Sequence, residues 1–431
     1  MTNDFSLTYL YRRLGLVEAR VRAAVNRRRA TDPDPDDNFR GLYITDAHVD
    51  QLLQAPHTLD EPEAPDTDSA LQRTQVEEEA DKAEAGGADV RVRRMRRAFG
   101  LDEYDVELFL IALAPDVDPR FERLYGYLHD DVSRRRASPG LALELCRGTF
   151  ATGGDRSRLM PESPLIKGGL ITLEDRDRPF LTRSLRVPDR VMAFVLGSDA
   201  MDPTIVSLLM PFVESDLEGL DRLSHALDSG SQLVYLHERP GGAGTSLGAT
   251  VFRRAGRSPI VIDLQRIDAS DSLKEISLAT IREARLQDGG IVAGPVEALA
   301  EKGASAIRLF AEAPCPVILY GARSWDPGWA RTVPFILEAP APSSKQREAI
   351  WLSALNGHLR GEVDPALSTK QFRLTPEQIM RAAHAALLNA EAAGRPAGVR
   401  DLYAGARAQN AAGLEKLAHR REPKAGWGDL V

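Results

Sequence analysis

From Leu233 to Thr250 the sequence reads LVYLHERPGGAGTSLGAT: an apolar run suited to a β-strand, a glycine-rich turn, and the start of a helix. That order suits phosphate binding, because the backbone N–H groups of such a turn and the N-terminus of the following helix both aim at an anion. A loop that also hydrolyses a nucleotide follows GxxxxGK[ST], with a tight curl, a lysine that reaches the outer phosphates and a hydroxyl that holds magnesium. With Gly244 as the second glycine, Arg239 replaces the first, Thr245 replaces the lysine, and Ser246 keeps the hydroxyl. Gly241, Gly242, Gly244, Thr245 and Ser246 therefore read as a vestigial phosphate loop. The companion station is a magnesium-holding Asp, usually with a water-orienting Glu, at the end of a later strand. Here GGIVAGPVEAL reaches Gly294-Pro295 without a carboxylate, and Glu297 lies beyond the proline. No catalytic residue and no bound cofactor are expected. Two readings stand: glycines that only make a tight strand-to-helix turn, which we favour, and weak nucleotide binding without hydrolysis.

The other candidates carry less chemistry. The basic run RVRRMRR, Arg91 to Arg97, is either a phosphate-backbone face of a winged-helix domain or a solvated helix face. His48, His57, His129, His237, His358 and His384 show no metal-ligand spacing, so no metal site is expected. Cys146 and Cys315 are far apart and form no CxxC pattern; both read as small core residues. Trp325 and Trp329 are expected to pack a turn.

The elements that must position these residues follow from periodicity. Residues 6–30 carry Leu7, Leu10, Leu14, Val17, Val21 and Val25 at helical spacing, an amphipathic helix expected to dock on its own protein. TDPDPDD stops it, and FRGLYITDAHVDQLL offers two or three turns of structure. Residues 55–85 are acidic, Pro-containing and poor in large apolar side chains, and read as a flexible linker. Helices resume near Val90, with Asp102 as an N-cap and Ser138-Pro139 opening another helix; a two-stranded wing and a short helix at Asp189 to Leu196 follow. SQLVYLH, SPIVIDL, GGIVAG and CPVILYG then alternate with helical segments, the signature of a parallel sheet covered by helices. From Ser343 the pattern is all-helical. The expected organisation is an N-terminal helical segment 1–54, linker 55–85, winged-helix-like domain 86–200, α/β module 201–342 and helical domain 343–431.

Composition bounds the function. At 431 residues, 43% hydrophobic and 27% charged, the chain has length for two or three domains and no mark of wholesale disorder. A net charge of -8 argues against a generally basic nucleic-acid coat, although it averages over opposed clusters. No apolar run approaches the roughly 18 residues of a membrane span, and MTNDFSLTYLYRRLG lacks the order of a secretory signal, so no membrane contact and a cytoplasmic location are expected.

Three ordered blocks carry a family resemblance: RRLGLVEARVRAAVNRRRATDPDPDDNFRGLYIT, FGLDEYDVELFLIALAPDVDPRFERLYGYLHDD, and SPLIKGGLITLED with FLTRSLRVPDRVMAFVLG. Together with LVYLHERPGGAGTSLGAT, LTPEQIMRAAHAALLNAEAAG and the final HRREPKAGWGDLV, they resemble the N-terminal half of bacterial AAA+ ATPases that carry a winged-helix domain and occur with contractile injection systems, the phage-tail-like particles. The resemblance implies an α/β plus α fold: a winged-helix-like domain, then a degenerate P-loop-like parallel module with a helical lid. It sets Thr245 where the family's lysine stands and Gly294 where its magnesium aspartate stands. ATP and magnesium are the family's ligands. In the family, the segment similar to GWGDLV precedes a second ATPase module with an intact loop; this sequence leaves open whether it is part of such a chain or one that has lost the motor. The implied function is a non-catalytic adaptor and assembly portion whose partners are proteins, namely injection-particle or cargo components and other ATPase subunits, with nucleic acid not expected. The rivals are a nucleotide-binding ATPase with weak hydrolysis and a winged-helix DNA-binding regulator.

Overall fold

The computed structural model describes residues 5–31, 67–147, 152–359 and 363–414, and the chain divides after Asp202 into two units. In the first, α1 (Phe5–Thr31) forms where apolar spacing predicts it, and Leu10, Leu14, Val17 and Val21 are buried along one side. Helix α4 (Glu103–Val117) is the centre of this unit. Val106, Leu108, Phe109, Leu110 and Ile111 are all buried, so apolar residues point out on every side of it, while Glu103 and Glu107 keep partial exposure and pair with Arg13 and Arg20. Asp102 caps it: its carboxylate accepts from the Asp105 N–H, and Asp105 returns the bond to the Asp102 N–H. Around it lie α3 (Arg91–Phe99), α5 (Arg120–His129) and α6 (Pro139–Arg147). The expected wing is the antiparallel hairpin β1 (Thr172–Glu174) and β2 (Ser184–Arg186), with Leu173 opposite Leu185. It leads into α7 (Asp189–Val195).

The linker expectation needs correction over its second half. Residues 67–85 form helix α2 (Thr67–Ala85); residues 55–66, with FRGLYITDAHVDQLL, lie outside the described residues. Few large apolar side chains argued against order, and of the described side chains of α2 only Val76 and Ala80 are buried. The helix is held by charge instead. Glu79 pairs with Arg12, Glu77 with Arg13 and Arg93, Asp81 with Arg93, and Glu84 with Arg93 and Arg97. These partners lie on α1 and α3, and those on α1 are 64 and 67 residues away along the chain, where the composition of the segment alone cannot register them.

In the second unit a five-stranded parallel sheet has the order β4-β5-β6-β3-β7. Its strands are β3 (Leu233–Glu238), β4 (Ser258–Asp263), β5 (Gly289–Gly294), β6 (Val317–Gly321) and β7 (Phe335–Ala339). The first four are the four apolar runs. The fifth, FILEA, lies between Pro334 and Pro340 with only Leu337 and Ala339 buried, and the flanking prolines hide it as a strand. Helices α8 (Leu220–Asp228), α9 (Gly244–Arg254), α10 (Leu273–Leu286) and α11 (Ala304–Ala311) accompany the sheet. Leu236, Leu247, Phe252, Val292 and Ile318 form the core that binds α9 to it. A helical bundle follows: α12 (Ser344–Leu355), α13 (Pro376–Ala392) and α14 (Val399–Leu414), packed around Trp351, Ile379, Ala383 and Leu402.

Candidate functional site

The glycine-rich turn joins β3, next to the edge strand β7, to α9, between the carboxyl ends of β6 and β7. In open α/β sheets ligands bind at such strand ends. The turn is short: the Gly242 N–H donates to the Arg239 carbonyl at 2.7 Å, and the Ala243 N–H to the Pro340 carbonyl at 3.1 Å. Gly241 has φ of 86°, a left-handed conformation that favours glycine.

The chain's own groups occupy the surroundings of this turn. Glu238, the last residue of β3, folds its side chain under the loop, and the Gly244 N–H donates to its Oε1 at 3.1 Å. A Cβ at position 242 would stand 2.5 Å from Glu238 Cγ, so glycine there is what lets the carboxyl in. Helix α9 takes no side-chain bond from its N-cap, Ala243. A carboxylate at its first turn is therefore both a hydrogen-bond partner and a match to the helix dipole. Ser246 is fully buried and its hydroxyl donates to Glu377 Oε1 on α13 at 2.6 Å. Glu377, 5% exposed, is delivered by the Thr375/Gln378 capping box that starts α13.

Tyr320 fills the space between the two strand ends. A Cβ at Gly244 would lie 3.0 Å from its Cβ; a Cβ at Gly294 would lie 2.6 Å from its carbonyl oxygen and 2.7 Å from its ring. Position 294 thus admits no side chain while Tyr320 stays. Thr245 lies beside the Tyr320 hydroxyl, whose pKa burial pushes up. Glu297 starts a helical turn after β5 and accepts from the Arg323 N–H at 2.7 Å. Burial pushes the Glu238 carboxyl up to about 7; Glu377 and Glu297 push it the same way, and the bond from Gly244 opposes them.

The five loop residues named from sequence are therefore together, but the groups that contact them were not named. Glu238 precedes the glycines directly, a position from which a carboxylate can turn back onto the helix start. Glu297 was set aside as beyond a proline, yet its charge reaches the loop. Tyr320 and Glu377 lie far along the chain and left no local signal.

The second candidate, the Arg91 to Arg97 run, is engaged throughout. Arg91 pairs with Asp199, Arg94 with Asp89, Arg96 with Glu103, and Arg93 and Arg97 with α2. Arg91, Arg93 and Arg94 are partly buried, whereas Arg97 remains 60% exposed. The tryptophans do pack a turn: Trp325 and Trp329 lie 5.3 Å apart and both contact Tyr235. Cys315 is buried, which pushes its thiol up to about 12, and Cys146 is half-buried. Among the described residues no group of three His, Cys, Asp or Glu could hold a metal, and no helix is long and apolar enough to cross a membrane.

Residues 4–209 match the family described as "Winged helix domain, variant". No curated protein matches the chain.

Proposed function

We propose that this chain is the non-catalytic adaptor and assembly portion of an AAA+ ATPase of the type associated with contractile injection systems, with a vestigial nucleotide module. The observation that carries the non-catalytic part is the bond from the Gly244 N–H to Glu238. A nucleotide phosphate would need that N–H, and would meet the Glu238 carboxyl beside Thr245, which stands where a phosphate loop has its lysine. Tyr320 stands where a magnesium aspartate at position 294 would project. A lysine contact and a metal each supply about 3 kcal/mol or more of transition-state stabilisation, and this sequence has threonine at 245 and glycine at 294, where the lysine and the metal's aspartate would stand.

The AAA+ assignment draws support from three features in sequence order: a winged-helix domain, a parallel sheet whose glycine-loop strand lies between β6 and β7, and a helical bundle that sends Glu377 back to that loop as a lid does. Protein partners follow from this reading: particle or cargo components and other ATPase subunits, met in the cytoplasm. The purified chain is expected to release no phosphate from magnesium-ATP above background. Magnesium-dependent release that disappears with Ser246→Ala would return the chain to the nucleotide-hydrolysing class.

A further inference from the structure

In the first unit, helices α1 and α5 are fastened to each other at two places. Glu18 of α1 pairs with Arg120 at the start of α5, at 3.3 Å. Further along both helices, Arg28 donates to the Leu128 carbonyl at 2.6 Å and pairs with Asp130 at 3.2 Å. At about 1.5 Å of rise per residue, the span from Glu18 to Arg28 puts the two fastenings about 15 Å apart, the length of roughly three helical turns. Between them lies a cleft of about 760 Å³ lined by the apolar Val25, Phe121, Leu124 and Tyr127. A second hollow of about 440 Å³ shares Glu122, Arg123 and Tyr127 with it and adds Val132, which is 61% exposed. Most of the charge along this groove is matched within the chain: Glu18 with Arg120, Glu122 with Arg135, Asp130 with Arg28 and Asp131 with Arg134. Arg29 and Arg123 also line the cleft, both exposed, and neither has an ion-pair partner among the described residues.

We propose that this cleft docks an acidic amphipathic helix of a partner protein, whose apolar face covers Val25, Leu124 and Tyr127 and whose carboxylates meet Arg29 and Arg123. The sign of the partner follows from the charge left over. With the other ions of the groove already matched, two positive charges flank an apolar floor, so a carboxylate is drawn in and an ammonium is repelled. The form of the partner follows from the walls. Two helices side by side offer a groove for a third and no free backbone edge for a strand, and a helix-in-groove partner anchors itself through apolar residues three and four apart. The site belongs to the first unit and does not depend on how the glycine-rich turn is read.

The test uses the full chain and two fluorescent helical peptides of about 14 residues, each with leucines along one face, flanked by glutamates in one and by lysines in the other. The glutamate peptide is expected to bind at least about tenfold more tightly, because two ion pairs replace two repulsions. R29E/R123E alters only exposed side chains and should reverse the preference. On the unaltered chain, raising the salt to about 1 M should bring the two peptides close to parity, a measurement that needs no folded variant. No binding of the glutamate peptide, equal binding of both at low salt, a preference that survives R29E/R123E, or one that salt leaves unchanged overturns the proposal. So do two other occupants. A dimer of the chain that R29E/R123E disperses would assign the cleft to a second copy. A gain of about tenfold or more in peptide affinity on replacing residues 39–53 with a Gly/Ser linker would assign it to the chain's own segment.

Discussion

A carboxyl with a raised pKa makes a directional claim at the level of one residue. Glu238 ionises near 4.5 in an unfolded chain and near 7 in the folded one. Between these values the folded form holds the extra proton, so its contribution to stability is full below about pH 4.5 and falls as pH rises toward 7. Glu238→Gln keeps an acceptor for the Gly244 N–H and removes the ionisation. The variant should match the unaltered chain in acid and exceed it by about 1–3 kcal/mol at pH 8, read from urea unfolding across pH. Equal pH profiles would show that the carboxyl is not held in the low-dielectric position described. Gly294 supplies a second test, because a Cβ there lies 2.6 Å from the Tyr320 carbonyl oxygen. Gly294→Ala should cost about 1–3 kcal/mol through overpacking; a neutral effect would mean that Tyr320 yields the space.

Elements were legible in proportion to how local their determinants are. Helix α1 announces itself by the spacing of Leu10, Leu14, Val17 and Val21, and its docking follows from their burial. Leu14→Asp should lower the melting temperature through loss of roughly 1.5–3 kcal/mol of burial, more if the charge is trapped. Unchanged melting would detach α1 from the fold. The Asp102 cap and four of the five strands were equally readable, each from fewer than ten residues. Helix α2 was not, since its partners Arg12 and Arg13 lie 67 and 64 residues from Glu79 and Glu77. The same holds for the site: the glycines and the absent lysine are visible in sequence, whereas Ser246 meets Glu377 across 131 residues. Contacts of that kind exist only once the sheet has brought the bundle to the loop.

For the molecule as a whole, the proposed function rests on a helix start that the chain's own Glu238 occupies. The net charge of -8 conceals this, because acidic and basic groups that matter are already paired or buried. The direct measurement is thermal unfolding of the full chain with and without about 5 mM magnesium-ATP. A site with a dissociation constant of about 50 µM would then add about 2.7 kcal/mol and raise the melting temperature by several degrees. With Glu238 on the Gly244 N–H and Tyr320 between Gly244 and Gly294, no shift is expected. A saturable, magnesium-dependent rise that Ser246→Ala removes would contradict the account.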